Sequence, residues 1–324
     1  MHVDTKQLAC GFSLPVFGAG TWMMGGGRTR DENNDDARDI EALNAALDAG
    51  LTHLDTAEMY AEGHAELLVG EVLKNRRRSD IILASKVMPA NLRHDALLRS
   101  AENSLRRLGT DYLDLYFVHL PNPEIPMAET FSALQKLADQ RVIRNVAVSN
   151  FSRERIEQAQ QLIAHKIVGA QVHYNLIFRE AAASGVLEYC QQNDMMLIAW
   201  RPVQKGILTV GGTELFDRVC RKYGKTPAQT AINWLIAQPN VVTLSTMRSK
   251  EHLAENLGAL GWCMEQADVE LLTRDFPGQR FVSDAVPLSC AVRLLKAAFF
   301  PSVKNRDISI SSRYCVLCMQ LRLQ

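Results

Sequence analysis

The chain has 324 residues, 47% of them hydrophobic, and its 36 basic residues balance its 36 acidic ones. Such a balance sets up no global field for nucleic acid or an anionic membrane surface, so a small-molecule partner is expected, with no nucleic acid and no membrane. Length admits either one α/β barrel, a fold that runs to about 250 residues and more, or two average domains.

The amino-terminal MHVDTKQLACGFSL lacks the basic start and continuous apolar run of a secretory signal. No later segment approaches the ~18 uncharged apolar residues that span a bilayer. The seven cysteines are scattered, and Cys315-x-x-Cys318 is the only close pair. Without a second pair or a histidine cluster it is no zinc signature, so no metal is expected. These features predict a soluble, cytoplasmic monomer with reduced thiols.

In chain order, TKQLACGFSLP reads as a short hairpin and Val16–Trp22 as a first core strand, followed by the flexible Gly25-Gly26-Gly27. Ile40, Leu43 and Leu47 recur at helical spacing, and Gly50 supplies the left-handed residue that ends many helices. Strand 51–55, a helix near Glu62–Lys74 and strand 81–86 follow. A helix with Leu98, Ala101, Leu105 and Leu108 on one face ends at Gly109, before strand 113–118.

The alternation continues with a helix near Met127–Gln140, strand Val142–Val148, a helix near Ser152–Ala164 and strand Ile167–Val172. Then come a helix over Gly185–Asn193 and strand Met195–Trp200. Thr226-Pro227-Ala228-Gln229 has the cap, first-turn proline and third-position glutamine of a capping box, with Ile232, Leu235 and Ile236 as the buried face. Strand Val241–Leu244 and a helix ending near Asn256–Leu257 complete eight cycles. Helical crossovers between consecutive strands imply parallel pairing, and eight units close a (β/α)8 TIM barrel, here with an N-terminal β-hairpin. The other arrangement, an open doubly wound sheet, would carry a G-x-G-x-x-G turn after its first strand. That turn is absent.

Asp55, Lys86 and His119 end apolar strand-like runs, and Tyr60 lies five residues past Asp55. In a parallel barrel the carboxyl ends of strands converge on one pocket, so these four should meet. The segments Gly50–Gly63 (GLTHLDTAEMYAEG), Ser85-Lys86-Val87, Asp114–Pro121 (DLYFVHLP) and Ile143–Phe151 (IRNVAVSNF), with Glu66 and Gly70, are similar to the signatures of the aldo-keto reductase family. The likeness runs from about Lys6 to Leu288 and is closest in kind to bacterial small-aldehyde or methylglyoxal reductases. It predicts a barrel domain over 1–288 and leaves 289–324, with six basic residues and one acidic, as a tail outside the family pattern.

The chemistry explains these residue types. A carbonyl that accepts a hydride develops charge on its oxygen, so the site needs a proton donor and a polarising group. Tyr60 is expected to donate the proton, its phenol made more acidic by the Lys86 ammonium. Asp55 would keep Lys86 charged, and His119 would hydrogen-bond the substrate oxygen. No side chain can supply the hydride, and the resemblance implies a nicotinamide dinucleotide, NADPH in preference to NADH.

By the same likeness Gly20, Thr21, Trp22 and Asp55 would face the cofactor, Ser149, Asn150 and Gln171 would bind its carboxamide, and Trp200 would stack on its ring. Arg201 stands where relatives often have serine, and either meets the pyrophosphate or forms a local salt bridge. The run Thr246-Met247-Arg248 lacks the lysine with which many relatives select a 2′-phosphate, leaving Arg248, Lys250 and the following helix start for that task. His252, Glu255 and Asn256 fall at the adenosine end. Trp22, Tyr60 and His119 would line the substrate pocket, where a small carbonyl compound is expected. Two other functions fit parts of the pattern: a Schiff-base aldolase acting through Lys86, and a nicotinamide-nucleotide-sensing regulatory subunit.

Overall fold

The computed structural model describes residues 3–288. The expected tail 289–324, with Cys315 and Cys318, lies outside the described residues. Eight parallel strands close on themselves: β3 (Phe17–Gly20), β4 (His53–Asp55), β5 (Ile82–Val87), β6 (Leu115–Val118), β7 (Val146–Ser149), β8 (Ile167–His173), β9 (Met196–Trp200) and β10 (Val241–Ser245), with β10 pairing both β9 and β3. The hairpin β1 (Thr5–Gln7) and β2 (Ser13–Pro15) precedes them as a separate antiparallel pair.

Helices α1 (Asp36–Asp48), α2 (His64–Leu73), α3 (His94–Leu108), α4 (Met127–Asp139) and α5 (Arg153–Gln161) follow β3 to β7 in turn. The connection after β8 holds α6 (Glu180–Ala183) and α7 (Val186–Gln192), and that after β9 holds α8 (Glu214–Tyr223) and α9 (Pro227–Ile236). Next come α10 (Lys250–Leu257) and α11 (Gln266–Asp275). None of the described helices is long and apolar enough to cross a membrane.

Period-two alternation sorts the strand residues into two layers. Ala84, Leu115, Phe117, Ala147, Met196, Ile198, Val242 and Leu244 fill the barrel interior together with Leu8 and Leu14, so the hairpin contributes to that core. The Lys6 ammonium fastens it by donating to the backbone carbonyls of Ile236, Gln238 and Val241. The other strand faces and the helices share a second, larger apolar layer.

The register between β7 and β8 shifts at Val146/Ala147, because Val146 pairs with Ile167 while Ala147 pairs with Gly169. One extra residue reverses which side chains face inward. Here it sets Gln171, and not Ala170, beside Ser149.

Local signals act as the sequence predicts at two helix ends. Thr226 and Gln229 form the reciprocal capping box of α9, and Gly109 closes α3 at φ 64°. The buried face of α3 differs: it runs through Leu97, Ser100, Ala101, Ser104 and Leu108, with Leu98 and Leu105 only partly covered. Apolar periodicity missed the two small serines, which turn inward where α3 packs closely against its neighbours. The strands expected over 16–22 and 113–118 prove shorter, and Trp22 and His119 stand just beyond β3 and β6.

Gly70 marks a close contact between α2 and α3. A Cβ there would lie 2.5 Å from the Arg107 carbonyl oxygen and 3.2 Å from the Leu108 carbonyl carbon. Alanine is the better helix former by about 1 kcal/mol, but parting two packed helices costs ~1–3 kcal/mol. Since the obstacle is backbone, the clash should win. Gly70→Ala is expected to lower the denaturation midpoint in urea; an unchanged or higher midpoint would contradict this packing.

Candidate active site

Asp55, Lys86, His119, Ser149, Gln171 and Trp200 lie at or near the carboxyl ends of different strands and so converge at the carboxyl mouth of the barrel. Lys86 is fully buried. Its ammonium donates to Asp55 Oδ1 at 2.5 Å, to the Thr56 carbonyl at 2.8 Å and to the Tyr60 hydroxyl oxygen at 3.2 Å. Asp55 is held in turn, because Gln171 Nε2 donates to Oδ2 at 2.8 Å while Thr21 offers both its N–H and its hydroxyl to the Asp55 carbonyl.

Tyr60 opens a short helical turn, Tyr60–Gly63, in which Ala61 and Glu62 take left-handed backbone angles (φ 48° and 57°). Strain of this kind persists where the surroundings fix it. Here the N–H groups of Ala61 and Glu62 donate to the carbonyls of Gly27 and Arg28, pinning the turn to the loop after β3. The Tyr60 ring meets Trp22 edge-on at 5.1 Å between centroids and His119 at 5.5 Å. The three expected pocket residues therefore form one aromatic cluster.

Burial lowers the Lys86 ammonium, but Asp55 and then Tyr60 outweigh it, so its pKa lies above the ordinary value and the charge is retained. For Tyr60, burial raises the phenol, Lys86 pulls it back and Asp55 reinforces the rise. The net direction is upward, contrary to the expected acidification, because desolvation exceeds the benefit of one ammonium that Asp55 already neutralises. Tyr60 is thereby kept protonated near neutrality. Burial first, then Lys86 and Arg28, drives His119 well below its usual value, leaving a neutral imidazole.

Next to this group, Asn150 Nδ2 donates to the His119 carbonyl at 3.1 Å and to Ser149 Oγ at 2.8 Å, and Ser149 donates to the Gln171 carbonyl. Asn150 Oδ1 is buried without a partner among the described residues. An unsatisfied buried acceptor costs about 1–3 kcal/mol, and here it sits beside the residues expected to bind a carboxamide. One face of Trp200 stacks on His173 at 4.3 Å and 10°, and His173 stacks on Phe178 at 4.4 Å. The sequence expectation did not include His173, whose partners Trp200, Gln204 and Ser283 come from β9 and from segments distant in sequence.

The remaining expected cofactor residues divide. Gly20 ends β3, Thr21 is spent on Asp55, and Met247 is buried so that it can offer only backbone. Arg201 lies 3.6 Å from Asp284, within reach of a local salt bridge. Thr246 and exposed His252 stand near the start of α10, where Ser249 caps the helix. Lys250 pairs with Glu41 at 2.8 Å. Glu255 faces Thr226 Oγ1 and so turns toward α9, while Asn256 is buried on α10. Arg248 is gripped by Asp39 and Asn34, two residues of the β3–α1 region absent from the sequence expectation.

Residues 16–274 match the model of the aldo/keto reductase family. Methylglyoxal reductase YeaE of Escherichia coli is 32% identical over 287 residues, covering 86% of this chain and 97% of that protein. Among solved structures, a thermostable aldo-keto reductase in complex with the inhibitor epalrestat is 41% identical with a TM-score of 0.80, covering 83% of this chain and 98% of that one. An aldo/keto reductase from Klebsiella pneumoniae, solved with NADP and acetate, is 33% identical with a TM-score of 0.76, covering 88% and 99%. With the barrel, its four-residue cluster and a family match over most of its length, the chain belongs to the aldo/keto reductase family.

Proposed function

We propose that the protein reduces small aldehydes or dicarbonyls to alcohols with NADPH, using Tyr60 as the proton donor. The observation that carries this reading is the Tyr60 hydroxyl 3.2 Å from a lysine whose charge Asp55 maintains. NADPH, when bound, would supply the hydride that reduces the carbonyl. Ser149, Asn150 and Gln171 would hold its carboxamide, and the orphaned Asn150 Oδ1 fits a carboxamide N–H as its missing partner. Trp200, backed by His173 and with the Arg201 guanidinium 5.0 Å from its ring centroid, would stack on the nicotinamide.

Tyr60 gives its proton to the oxygen as charge develops there, and Lys86 stabilises the phenolate that results. Neutral His119 hydrogen-bonds the same oxygen without competing as an acid. Trp22 and Tyr60 wall a pocket suited to a small carbonyl compound, in keeping with relatives named methylglyoxal reductase and glyoxal reductase. The Schiff-base alternative needs a neutral lysine, whereas Asp55 keeps Lys86 charged. The tail 289–324 has no role in this scheme, and we assign the catalytic domain to 1–288.

Tyr60→Phe should cut turnover by roughly 10²–10⁴-fold, the usual worth of general acid catalysis, while NADPH still binds. Retention of most turnover with chemistry rate-limiting would reassign the donor. Because the buried phenol is raised above its ordinary pKa, an ultraviolet titration of the protein against Tyr60→Phe should show no Tyr60 phenolate through the neutral range. Its appearance near neutrality would contradict the balance of burial over Lys86.

Arg248 is the proposed reader of the 2′-phosphate. A hydrogen bond to a charged group is worth about 1.5–3 kcal/mol, so Arg248→Ala should raise the NADPH dissociation constant roughly ten-fold or more and spare NADH. Equal losses for both cofactors would remove Arg248 from that role.

A further inference from the structure

The β3–α1 region holds a carboxylate that the proposed mechanism does not use. Asp39, on the first turn of α1, is fully buried. Its Oδ1 accepts from Arg248 Nε at 2.6 Å, and its Oδ2 accepts from the Gly25 N–H at 3.0 Å and from Asn34 Nδ2 at 2.8 Å. Asn34 closes the ring, because its Oδ1 accepts from Arg248 NH2 at 2.8 Å. Two partners thus fix two nitrogens of one guanidinium.

The frame behind these partners is pinned by hydrogen bonds, so the Gly25-Gly26-Gly27 run, expected to be a flexible loop, forms a defined turn. Gly25 and Gly26 take φ of 73° and 130°, a tight turn that carries the Gly25 N–H to Asp39. Arg30 locks the turn by donating to the Gly25 carbonyl and to both Asp36 oxygens, and His64 meets Asp36 at 2.7 Å. From the other side, Gly27 and Arg28 are hydrogen-bonded to the Tyr60–Gly63 turn. The acceptor for Arg248 is therefore built by interactions that do not depend on Arg248. Arg38, also on α1, donates to the Arg248 carbonyl at 3.1 Å and fixes its backbone.

We propose that Asp39 is a positioning residue for cofactor discrimination: with Asn34 it sets the Arg248 guanidinium in the one orientation that serves a 2′-phosphate. An arginine held by a buried carboxylate has already lost the rotamer freedom that binding would otherwise cost, so its remaining donors are presented at little further loss. This inference rests on the reading of Arg248 as the phosphate contact. A residue that merely supported the loop would affect NADPH and NADH alike, whereas a positioning residue acts only through the phosphate.

The test is equilibrium titration of the full chain with NADPH and with NADH, followed by tryptophan fluorescence, in Asp39→Asn, Arg248→Ala and the double variant. Loss of a charge-assisted contact predicts that Asp39→Asn weakens NADPH by about five-fold or more and NADH by less than about two-fold. The double variant should bind NADPH no worse than Arg248→Ala alone, because both act through one guanidinium. A selective loss in Arg248→Ala with unaltered or equally weakened cofactors in Asp39→Asn overturns this inference and leaves the phosphate reading standing. Equal losses in Arg248→Ala sink both. Should Asp39→Asn fail to fold, Asn34→Ala removes the second acceptor while leaving the carboxylate, and is expected to weaken NADPH by about two-fold or more without affecting NADH; no change in either would also overturn it.

Discussion

The ion pair between Lys86 and Asp55 is the constraint on which the rest of the site depends. Taking an ammonium wholly out of water costs several kcal/mol, and an ammonium has three donors to satisfy. Asp55 Oδ1, the Thr56 carbonyl and the Tyr60 hydroxyl take one each. The Tyr60 hydroxyl is thus placed by the need to solvate a buried lysine. Removing one partner of such a pair costs about 3–5 kcal/mol, so catalytic geometry and local stability rest on the same contacts.

From that pair the geometry spreads outward by strand register. Gln171 reaches the second oxygen of Asp55 only because the extra residue between β7 and β8 turns it inward. Gln171 in turn accepts from Ser149 through its carbonyl, and Ser149 accepts from Asn150, whose amide also reaches the His119 carbonyl. The side chains proposed to frame a nicotinamide belong to one hydrogen-bonded network with His119 and Tyr60. A shift in any of β4, β5, β7 or β8 would be felt by all of them.

Much of this was legible in the sequence. The alternation of strands and helices gave the barrel, and position at strand ends gave Asp55, Lys86 and His119, since convergence there follows from topology alone. The α9 capping box and the α3 glycine were local signals and appeared as expected. What could not be read depends on contacts distant in sequence. The Asp39–Arg248 grip joins residues 209 apart, and the stacking of His173 on Trp200 unites side chains from β8 and β9. The direction of the Tyr60 shift also escaped, because sequence names the neighbouring charge but not the depth of burial that outweighs it.

The proposed reaction requires that this assembly turn over carbonyl substrates and not merely sense a nucleotide. The most direct measurement is the stoichiometry of NADPH oxidation with a panel of small aldehydes and dicarbonyls in excess over the protein. Alcohol should form in an amount equal to the NADPH consumed, over many turnovers per molecule. Tight NADPH binding with no consumption on any carbonyl of the panel would contradict it.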